Sequence, residues 1–292
     1  MDLTLVTCLD LPEPDLDEQP LLAALAEAGV DARVAAWDDP DVDWSRSPLT
    51  VVRSTWNYTE RRDDFLGWMR RVSAEGTVLR NALSTMLPNT HKGYLAGLER
   101  AGVDVVPTRW FAMAPTPQLD PDALRALPWR HVIVKPAIGA GSRGVRAFDL
   151  EDDAQLEAAA AHVAALRSSS EVLVQPRLTS IVERGERNLV WIDGEFTHAV
   201  DKPARLEGDD EHVRTASTPT DRERLLATSV LRTIPAFEHR ELLYARVDMA
   251  EDELGTLRVV ELELVEPSLF LTLHEPAMER FVASLHRHAV RA

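Results

Sequence analysis

Cysteine and basic residues are scarce in this sequence. Cys8 is the single cysteine among 292 residues, so an internal disulfide is excluded and a reducing compartment is indicated. Cys8 lies in the apolar run LTLVTCL, which favours a core position over a role as nucleophile. Basic residues number 32 against 48 acidic ones, a formal charge of −16, so we expect no general affinity for nucleic acid.

Long apolar runs are also absent. No stretch approaches the length that crosses a membrane, and no cationic start leads into an apolar segment. The negative charge also disfavours binding to anionic membranes. We therefore expect a cytoplasmic protein with no membrane partner, which acts on a small molecule. The length allows two or three domains.

Lysine is the scarcest charged residue. Of the 32 basic residues only three are lysines, and arginine fills every other position; the lysines are Lys92, Lys135 and Lys202. A lysine in so arginine-rich a chain indicates a position that needs a compact ammonium group rather than a planar guanidinium. With only three residues, chance is the alternative interpretation.

A glycine-rich loop follows the second lysine. Lys135 ends an apolar run typical of a buried strand, and residues 139–144 follow as GAGSRG. Backbone N–H groups of such a loop approach an anion closely, and the lysine adds charge, which suits a nucleotide phosphate. Residues 145–148 alternate as a strand, so the helix of a dinucleotide-binding fingerprint is missing, and no Lys-Ser/Thr pair completes a Walker motif. The pattern predicts a glycine-rich hairpin; a plain tight turn is the alternative.

The first part of the chain predicts an open α/β unit. Its three strands and one helix are predicted at 3–6, 32–36, 49–52 and 19–28. The third strand stops at RSTWNY, and ligands gather beyond the carboxyl ends of strands in such sheets. Arg53, with the hydroxyls of Ser54 and Thr55, is therefore a candidate substrate contact. The alternative is that Ser54 or Thr59 caps the following helix.

A second helix is predicted to carry the first lysine. Thr90 can cap a helix that has Lys92 in its first turn and ends at Gly102, before a strand that ends at Pro107. A lysine in the first turn opposes the helix dipole, a cost that an anion site would explain.

Further strands and a polar loop follow the glycine-rich hairpin. A strand is predicted at 171–178, and a hairpin over 185–203 turns at Asp193-Gly194 and closes at Lys202. The polar segment 204–221 predicts a mobile loop. Such a loop is either a lid over the phosphate site or a passive surface excursion.

Two apolar strands near the end of the chain carry carboxylates. The runs YARVDM and RVVELELVEPSLF predict a hairpin in which Glu261 and Glu263 share one face and meet Asp248. Three such carboxylates suit one or two Mg²⁺ ions that bridge substrate phosphates. Arg246 alternates onto the same face, where it would contact a transferring phosphoryl group. A solvated face is the alternative, but aliphatic residues surround the glutamates, so the glutamates need a partner.

The order of these motifs resembles that of the ATP-grasp ligases. The motif residues in chain order are Lys92, Lys135, Arg246, Asp248, Glu261 and Glu263. The last four resemble the metal site of D-alanine–D-alanine ligases and glutathione synthetases, where asparagine is usual at the position of Glu263. The resemblance implies an α/β and α+β protein with an ATP-grasp fold and an N-terminal open α/β domain. The implied domains are 1–87 on the substrate side, 88–177 with the glycine-rich hairpin and 178–292 with the metal site.

The resemblance also implies a mechanism that uses ATP and Mg²⁺. A substrate carboxylate attacks the γ-phosphate to give an acylphosphate, and a nitrogen nucleophile then displaces phosphate to form an amide-type bond. Lys202 and Arg246 are implied to stabilise the transferred group, and Asp248, Glu261 and Glu263 to hold the metal. The implied ATP contacts are Lys92, Lys135, Gly139, Ala140, Gly141, Ser142, Gly144, Gln175, Pro176, Arg177, Leu178 and Glu183. The implied substrate contacts are Arg53, Ser54, Thr55, Glu186 and Ser268.

Within the family, the patterns RSTWNY, DGEFTHAV and ELELVEPSL are similar to the group that contains the cyclo-ligase of D-cycloserine biosynthesis. That similarity implies a nucleophile within the substrate itself, as in ring closure of O-ureido-D-serine. A ligase that joins two amino acids or peptides is one alternative. A non-catalytic ATP-binding regulator is another, although the retained carboxylates and Arg246 argue against it. A homodimer is common among the enzymes that the chain resembles.

Overall fold

The strands of the described residues form three four-stranded sheets. The structure is a computed structural model that describes residues 2–114, 118–206 and 212–290. The strands are β1 (Leu3–Thr7), β2 (Ala32–Ala36), β3 (Leu49–Val52), β4 (Val78–Arg80), β5 (Arg109–Phe111), β6 (His131–Pro136), β7 (Arg146–Asp149), β8 (Val172–Pro176), β9 (Glu186–Ile192), β10 (Glu195–Lys202), β11 (Tyr244–Glu251) and β12 (Leu257–Glu263).

Ten α-helices and three short 3₁₀ segments connect these strands within the described ranges. The helices are α1 (Glu18–Glu27), α2 (Arg62–Ala74), α3 (Leu83–Asn89), α4 (Tyr94–Arg100), α5 (Asp122–Arg125), α6 (Asp153–Arg167), α7 (Thr179–Arg184), α8 (Asp221–Leu231), α9 (Pro235–Glu238) and α10 (Glu275–Ala289). The 3₁₀ segments are Trp44–Arg46, Trp56–Glu60 and Leu271–Leu273. Over these residues, no helix has the length and apolar character needed to cross a membrane.

The first sheet is parallel and has the order β2-β1-β3-β4. Its strands are short apolar runs, and β1 and β3 are almost wholly buried, as expected of central strands in an open α/β unit. Cys8 follows β1 and is buried in the core, which confirms its predicted position; its Sγ lies 3.4 Å from the carbonyl oxygen of Ser54. The carboxyl end of β3 leads directly into the 3₁₀ segment Trp56–Glu60.

The second sheet has the order β5-β8-β6-β7 and is covered by α6. β6 and β7 pair in antiparallel fashion, from His131 opposite Asp149 to Val134 opposite Arg146, which confirms the glycine-rich hairpin. The carboxylate of Asp152 caps α6 by accepting hydrogen bonds from two backbone N–H groups of the first turn. Lys135 lies at the end of β6, where the hairpin loop begins.

The third sheet has the order β10-β9-β11-β12 and carries the acidic motif. β9 and β10 turn at Asp193 and Gly194, both with positive φ, as the Asp-Gly pair predicts. β11 and β12 pair so that Arg246 lies opposite Glu263 and Asp248 opposite Glu261. The predicted common face is confirmed, because a bulge follows Asp248 and leaves these pairs in register.

The C-terminal helix packs against α1 of the N-terminal unit and against β9 and β10. Phe281 and Leu285 of α10 share one buried cluster with Leu3, Leu21 and Leu25 of the N-terminal unit. Each sheet falls within one of the three predicted domains, but α10 joins the third part of the chain to the first. The predicted domain boundaries themselves stay predictions.

Two predicted elements around Lys92 are wrong. Thr90 is the C-cap of α3, with its hydroxyl donating to the Leu87 carbonyl, so it does not cap the helix that follows. Lys92 precedes α4 in a connecting loop, so it does not lie in the first turn of a helix. The strand predicted before Pro107 forms only an isolated bridge, between Val105 and Val259. It does not extend into a longer ladder along β12, the edge strand of the third sheet.

Three other predicted boundaries also differ. β12 ends at Glu263 rather than continuing toward Phe270, and residues 264–270 run against the first sheet instead. The helix after RSTWNY begins at Arg62 without a side-chain cap, so neither Ser54 nor Thr59 caps it. The short helix α7 was not predicted, because its six residues follow directly on a strand that the pattern extends through Leu178.

A buried histidine on β10 makes folding sensitive to pH. His198 is fully buried, and its ring stacks on His274 with centroids 4.9 Å apart. Burial, and then the neighbouring His274, lower the pKa of His198 from 6.5 to about 4. The imidazole is therefore neutral in the folded protein over the range where an unfolded chain would protonate it.

Stability should fall as the pH drops from 6.5 toward 4, since the unfolded state binds this proton first. Between pH 7 and pH 4.5, urea titrations should show the wild type losing about 2–3 kcal/mol more unfolding free energy than His198→Asn does. The substitution at the exposed His239, His239→Asn, is the matched control and should behave like the wild type. An equal loss in wild type and His198→Asn would contradict the assignment.

Candidate active site

A cavity of about 340 Å³ is lined by residues that follow or belong to all three sheets. Most of the predicted ligase residues meet there. The predicted residues that line it are Lys92, Lys135, Gly139, Ala140, Gly141, Ser142, Gln175, Pro176, Arg177, Leu178, Glu186, Lys202, Arg246, Asp248, Glu261, Glu263 and Ser268. Residues separated by up to 176 positions in sequence are thus brought to one concave surface, as a ligand site requires.

Two lysines share one carboxylate in the middle of the cavity. Lys135 Nζ lies 2.8 Å from Glu261 Oε1, and Lys92 Nζ lies 3.0 Å from Glu261 Oε2. Burial raises the pKa of Glu261, but the two lysines outweigh burial and hold that pKa well below its usual range. Burial likewise lowers the pKa of Lys92, and Glu261 more than offsets this and raises it. Glu261 and Lys92 are therefore both charged at neutral pH.

The backbone around Lys92 joins it to the glycine-rich loop. The Lys92 N–H donates to the Ala137 carbonyl at 2.8 Å, and its ammonium group donates to the Gly139 carbonyl at 3.2 Å. Lys92 and Lys135 thus face the same space from two sides of one loop. Two ammonium groups beside a glycine-rich loop are an arrangement that suits a phosphate group.

Arg246 organises the remaining carboxylates. Its Nε and Nη2 each lie 2.8 Å from one oxygen of Asp248, a bidentate pair, and Nη2 also contacts Glu263. Arg246 and Asp248 are nearly fully buried, because both lie in the central strand of the sheet. Burial raises the pKa of Glu263 to about 7; Arg246 opposes this rise and Asp248 adds to it. Glu263 therefore takes up a proton more readily than an exposed glutamate would.

A second charged pair lies at the edge of the same wall. Glu186 of β9 and Lys202 of β10 are cross-strand partners, and both line the cavity. Burial raises the pKa of Glu186, and Lys202 opposes that rise. This pair adds one carboxylate and one ammonium group to those already described in the cavity.

Metal-ion geometry is not assembled among the carboxylates. Over residues 2–114, 118–206 and 212–290, no three His, Cys, Asp or Glu side chains are grouped closely enough to hold a metal ion. The reason is that Glu261 faces the lysines, while Asp248 and Glu263 face Arg246.

The glycine-rich loop closes over the cavity with several residues in the left-handed region. Gly141, Ser142 and Gly144 have φ of 61°, 59° and 72°. A Cβ at Gly144 would lie 3.3 Å from both Pro136 and Leu166, so this glycine serves the close packing of the loop on α6. Gly144 itself does not line the cavity, unlike the four residues from 139 to 142.

Five predicted contacts are not brought to the cavity. Arg53, Ser54 and Thr55 are buried and do not line the cavity. Glu183 is exposed on α7, and Gly144 is buried within its loop; neither lines the cavity. Arg53 lies between the rings of Tyr244 and Phe281 and donates from Nη1 to the Pro267 carbonyl at 3.2 Å.

The RSTWNY motif contributes through its aromatic residues instead. Trp56 and Tyr58 line the cavity, and Trp56 Nε1 donates to the Glu266 carbonyl at 3.0 Å. The Glu266 side chain lines the same cavity as these two rings. Burial and the nearby Glu263 raise the pKa of Glu266 to about 8. The sequence analysis missed Glu266, although its position among aliphatic residues after Glu263 was a usable signal.

Part of the predicted lid touches the N-terminal unit. Arg205 forms a bidentate ion pair with Glu13, with the closer contact at 2.9 Å, and both residues line the cavity. Ser217 bridges to Ala199 on β10. Residues 207–211 of the predicted 204–221 loop lie outside the described residues, and the lid stays a prediction.

Comparison with known proteins places this geometry in a family. Residues 3–81 match the family described as D-cycloserine synthetase DcsG, N-terminal domain. The cycloserine biosynthesis protein DcsG of Streptomyces lavendulae is 36% identical over 286 residues, which cover 93% of each protein. The crystal structure of D-cycloserine synthetase DcsG superposes with a TM-score of 0.84 and 36% identity, covering 98% of this chain and 99% of that one.

More distant structures share the fold. D-alanine–D-alanine ligase from Bacillus anthracis, complexed with ATP, has a TM-score of 0.68 at 14% identity, covering 99% of this chain and 97% of that one. The ATP-grasp ligase PsnB, complexed with precursor peptide PsnA2 and AMPPNP, has a TM-score of 0.64 at 20% identity, with 99% of each chain covered.

The structural likeness shows the ATP-grasp ligase fold, which confirms the predicted fold class, and the likeness to D-cycloserine synthetase DcsG confirms that the chain is an enzyme, a ligase. Within that class, the chain belongs to the D-cycloserine synthetase DcsG family. The resemblance seen in the sequence patterns is thereby confirmed.

Lys135 should matter for nucleotide binding more than for folding. Lys135→Met keeps the apolar stem and removes one charged contact to phosphate, so ATP affinity should fall about ten- to hundredfold. Its apo melting temperature should stay close to that of the wild type, because Glu261 keeps Lys92 as a partner. Isothermal titration with ATP measures the affinity, and the exposed Arg130→Met is the matched control. Unchanged ATP affinity in Lys135→Met would remove this lysine from the phosphate site.

Proposed function

We propose that this enzyme closes the ring of O-ureido-D-serine to form D-cycloserine, with ATP as the phosphoryl donor. The proposal rests on the arrangement of charged groups in the cavity. One wall is formed by Arg246, Asp248, Glu261 and Glu263, and Lys92 and Lys135 contact Glu261 from the opposite side. That wall suits phosphoryl transfer to a carboxylate. The membership in the DcsG family supports the choice of substrate.

The residues of the cavity have separate tasks in the first step. Lys92, Lys135 and the backbone of residues 139–142 would bind the ATP phosphates, and residues 175–178 would border adenine. The substrate carboxylate would lie near Ser268 and Arg246, whose guanidinium stabilises the charge on the transferred phosphoryl group. Lys202 supports this role, and Glu186 would bind the substrate amine.

Magnesium fits the donor set of this wall. Asp248, Glu261 and Glu263 provide the carboxylate oxygens that Mg²⁺ prefers as ligands, and Asp248 and Glu263 already meet at one arginine. When ATP phosphates bind Lys92 and Lys135, Glu261 would lose its present partners and become available as a metal ligand. Bound magnesium would supply charge neutralisation for the ATP phosphates.

The second step forms the ring and follows from atom balance. The nitrogen bonded to the side-chain oxygen attacks the acyl carbon, the bond from that carbon to the phosphate oxygen breaks, and the nitrogen loses its proton. The ring nitrogen then still carries the carbamoyl group, so one water molecule must remove it as carbamic acid. A closed cavity favours the first of these reactions, because water would otherwise hydrolyse the acylphosphate.

The main alternative is a ligase that joins two separate molecules. Such an enzyme would keep the same phosphate and metal residues, and would differ in the part of the cavity bordered by Trp56, Tyr58 and Glu266. A non-catalytic regulator is disfavoured by the enzyme family to which the chain belongs. The homodimer and the cytoplasmic location stay predictions.

Phosphate release in the presence of ATP and Mg²⁺ should distinguish these reactions. We expect release with O-ureido-D-serine as the single amino acid, together with a product of the mass of D-cycloserine. A panel of D- and L-amino acids, alone and in pairs, with mass spectrometry of the products, makes the measurement. Release only when two amino acids are supplied together would instead identify an intermolecular ligase.

Glu261→Gln should lose turnover by more than about hundredfold, since it removes a metal ligand and leaves Lys92 and Lys135 without a carboxylate. The Mg²⁺-dependent part of the ATP-induced melting shift should disappear as well, while near-ultraviolet circular dichroism stays native. The exposed Glu238→Gln is the matched control. Full activity of Glu261→Gln would remove Glu261 from the metal site.

A further inference from the structure

Asn188 carries a buried amide group that has no hydrogen-bond partner. Its side chain is fully buried in β9, and within the described residues neither Oδ1 nor Nδ2 is hydrogen-bonded. Asparagine is depleted in strands, and residues 189–192, which complete β9, are all apolar, so local propensity does not explain its presence. An unpaired buried amide lowers stability, so its retention in a folded protein calls for an explanation.

The sheet register places Asn188 directly beside Asp248. Asn188 has two cross-strand partners, the apolar Val200 of β10 and the carboxylate Asp248 of β11. Directly opposed residues of antiparallel strands project from the same face, with Cβ atoms about 4.5–5.5 Å apart. Asp248 is also buried and lines the cavity, whereas Asn188 does not line it. The unpaired amide is therefore next to a carboxylate of the proposed magnesium site.

Both oxygens of Asp248 accept hydrogen bonds from one arginine. Each lies 2.8 Å from a nitrogen of Arg246. The proposed function, on which this inference rests, assigns Arg246 to the transferred phosphoryl group and Asp248 to magnesium. A carboxylate that binds a metal ion is usually held in orientation by a hydrogen bond from a neighbouring group. The two cross-strand partners of Asp248 are Glu261 and Asn188, and only Asn188 has an N–H group to donate.

We propose that Asn188 is a positioning residue for Asp248 in the nucleotide-bound enzyme. When an oxygen of Asp248 no longer accepts from Arg246, the Asn188 Nδ2 donates to it and fixes the orientation of the carboxylate toward magnesium. The amide is neutral, so it orients the carboxylate without neutralising the negative charge that attracts the metal ion. The unpaired amide of the ligand-free protein is thus a donor whose hydrogen bond forms only in the loaded site.

Two variants of nearly the same shape separate the hydrogen bond from packing. Asn188→Thr keeps a hydroxyl donor on the same face of β9, and Asn188→Val puts a methyl group in its place. At a fixed ATP concentration, the Mg²⁺ concentration that gives half of the melting-temperature shift should rise about tenfold or more in Asn188→Val. It should stay within about threefold of the wild type in Asn188→Thr. The Mg²⁺ concentration for half-maximal phosphate release with O-ureido-D-serine should change in parallel.

Urea unfolding of the ligand-free variants gives a second readout. Asn188→Val should unfold at the same urea concentration as Asn188→Thr or at a higher one, because the buried hydroxyl finds no partner before ATP and Mg²⁺ bind. Thr50→Val is the matched control. The Thr50 hydroxyl is also fully buried and unpartnered within the described residues, but it belongs to β3 and does not line the cavity. Thr50→Val should keep the Mg²⁺ dependence of the wild type.

The comparison of the two variants decides the proposal. Equal Mg²⁺ dependence in Asn188→Val and Asn188→Thr would overturn it, whether both match the wild type or both are weakened, because the donor would then not matter. A lower urea midpoint in Asn188→Val than in Asn188→Thr would also overturn it, since the hydroxyl would already have a partner. If either variant fails to fold, Asn188→Ala and Asn188→Ser replace the pair. A wild type whose ATP-induced melting shift does not respond to Mg²⁺ would refute the proposed metal site itself, whereas the other outcomes leave that site intact.

Discussion

The carboxylate of Glu261 is the interaction on which the arrangement of the cavity depends. It joins the third sheet to Lys135 of the second sheet and to Lys92 in the loop before α4. Removing charged groups from water is costly, and close pairing is what compensates that cost. The pairing compensates the cost of burial and adds little further stability. A phosphate could therefore replace Glu261 as the partner of the lysines, and a metal ion could replace the lysines as partners of Glu261.

The first sheet supports the site from behind. Arg53 and Trp56, which follow β3, donate to the backbone carbonyls of Pro267 and Glu266, and Asn81, which follows β4, donates to that of Leu264. An unmade hydrogen bond at such buried carbonyls would cost about 1–3 kcal/mol each, so the segment has little freedom to move. The N-terminal unit thus sets the position of Glu266 and Ser268 without supplying a cation to the cavity.

Strand pairing and turn chemistry were predictable from the sequence because they are local. Alternation placed Arg246 and Asp248 opposite the two glutamates, and the Asp193-Gly194 pair located its hairpin. The position of Arg53 was not predictable in this way, since its burial depends on Tyr244 and Phe281, about 190 and 230 residues away. The ion pairs of Glu261 were also beyond reach, because only the packing of one sheet on another brings both lysines to that carboxylate.

The sheets around the cavity are joined by two kinds of contact, and only one kind contains a partner that a phosphate group could replace. The first and third sheets are joined by neutral hydrogen bonds, such as those from Asn81 to the carbonyls of Tyr244 and Leu264, for which a phosphate offers no substitute. The second and third sheets meet at lysine–carboxylate pairs, in which a phosphate could take the place of the carboxylate. Phosphate oxygens could replace Glu261 as partners of the two lysines, so this is the contact between the sheets for which an anion in the cavity would compete.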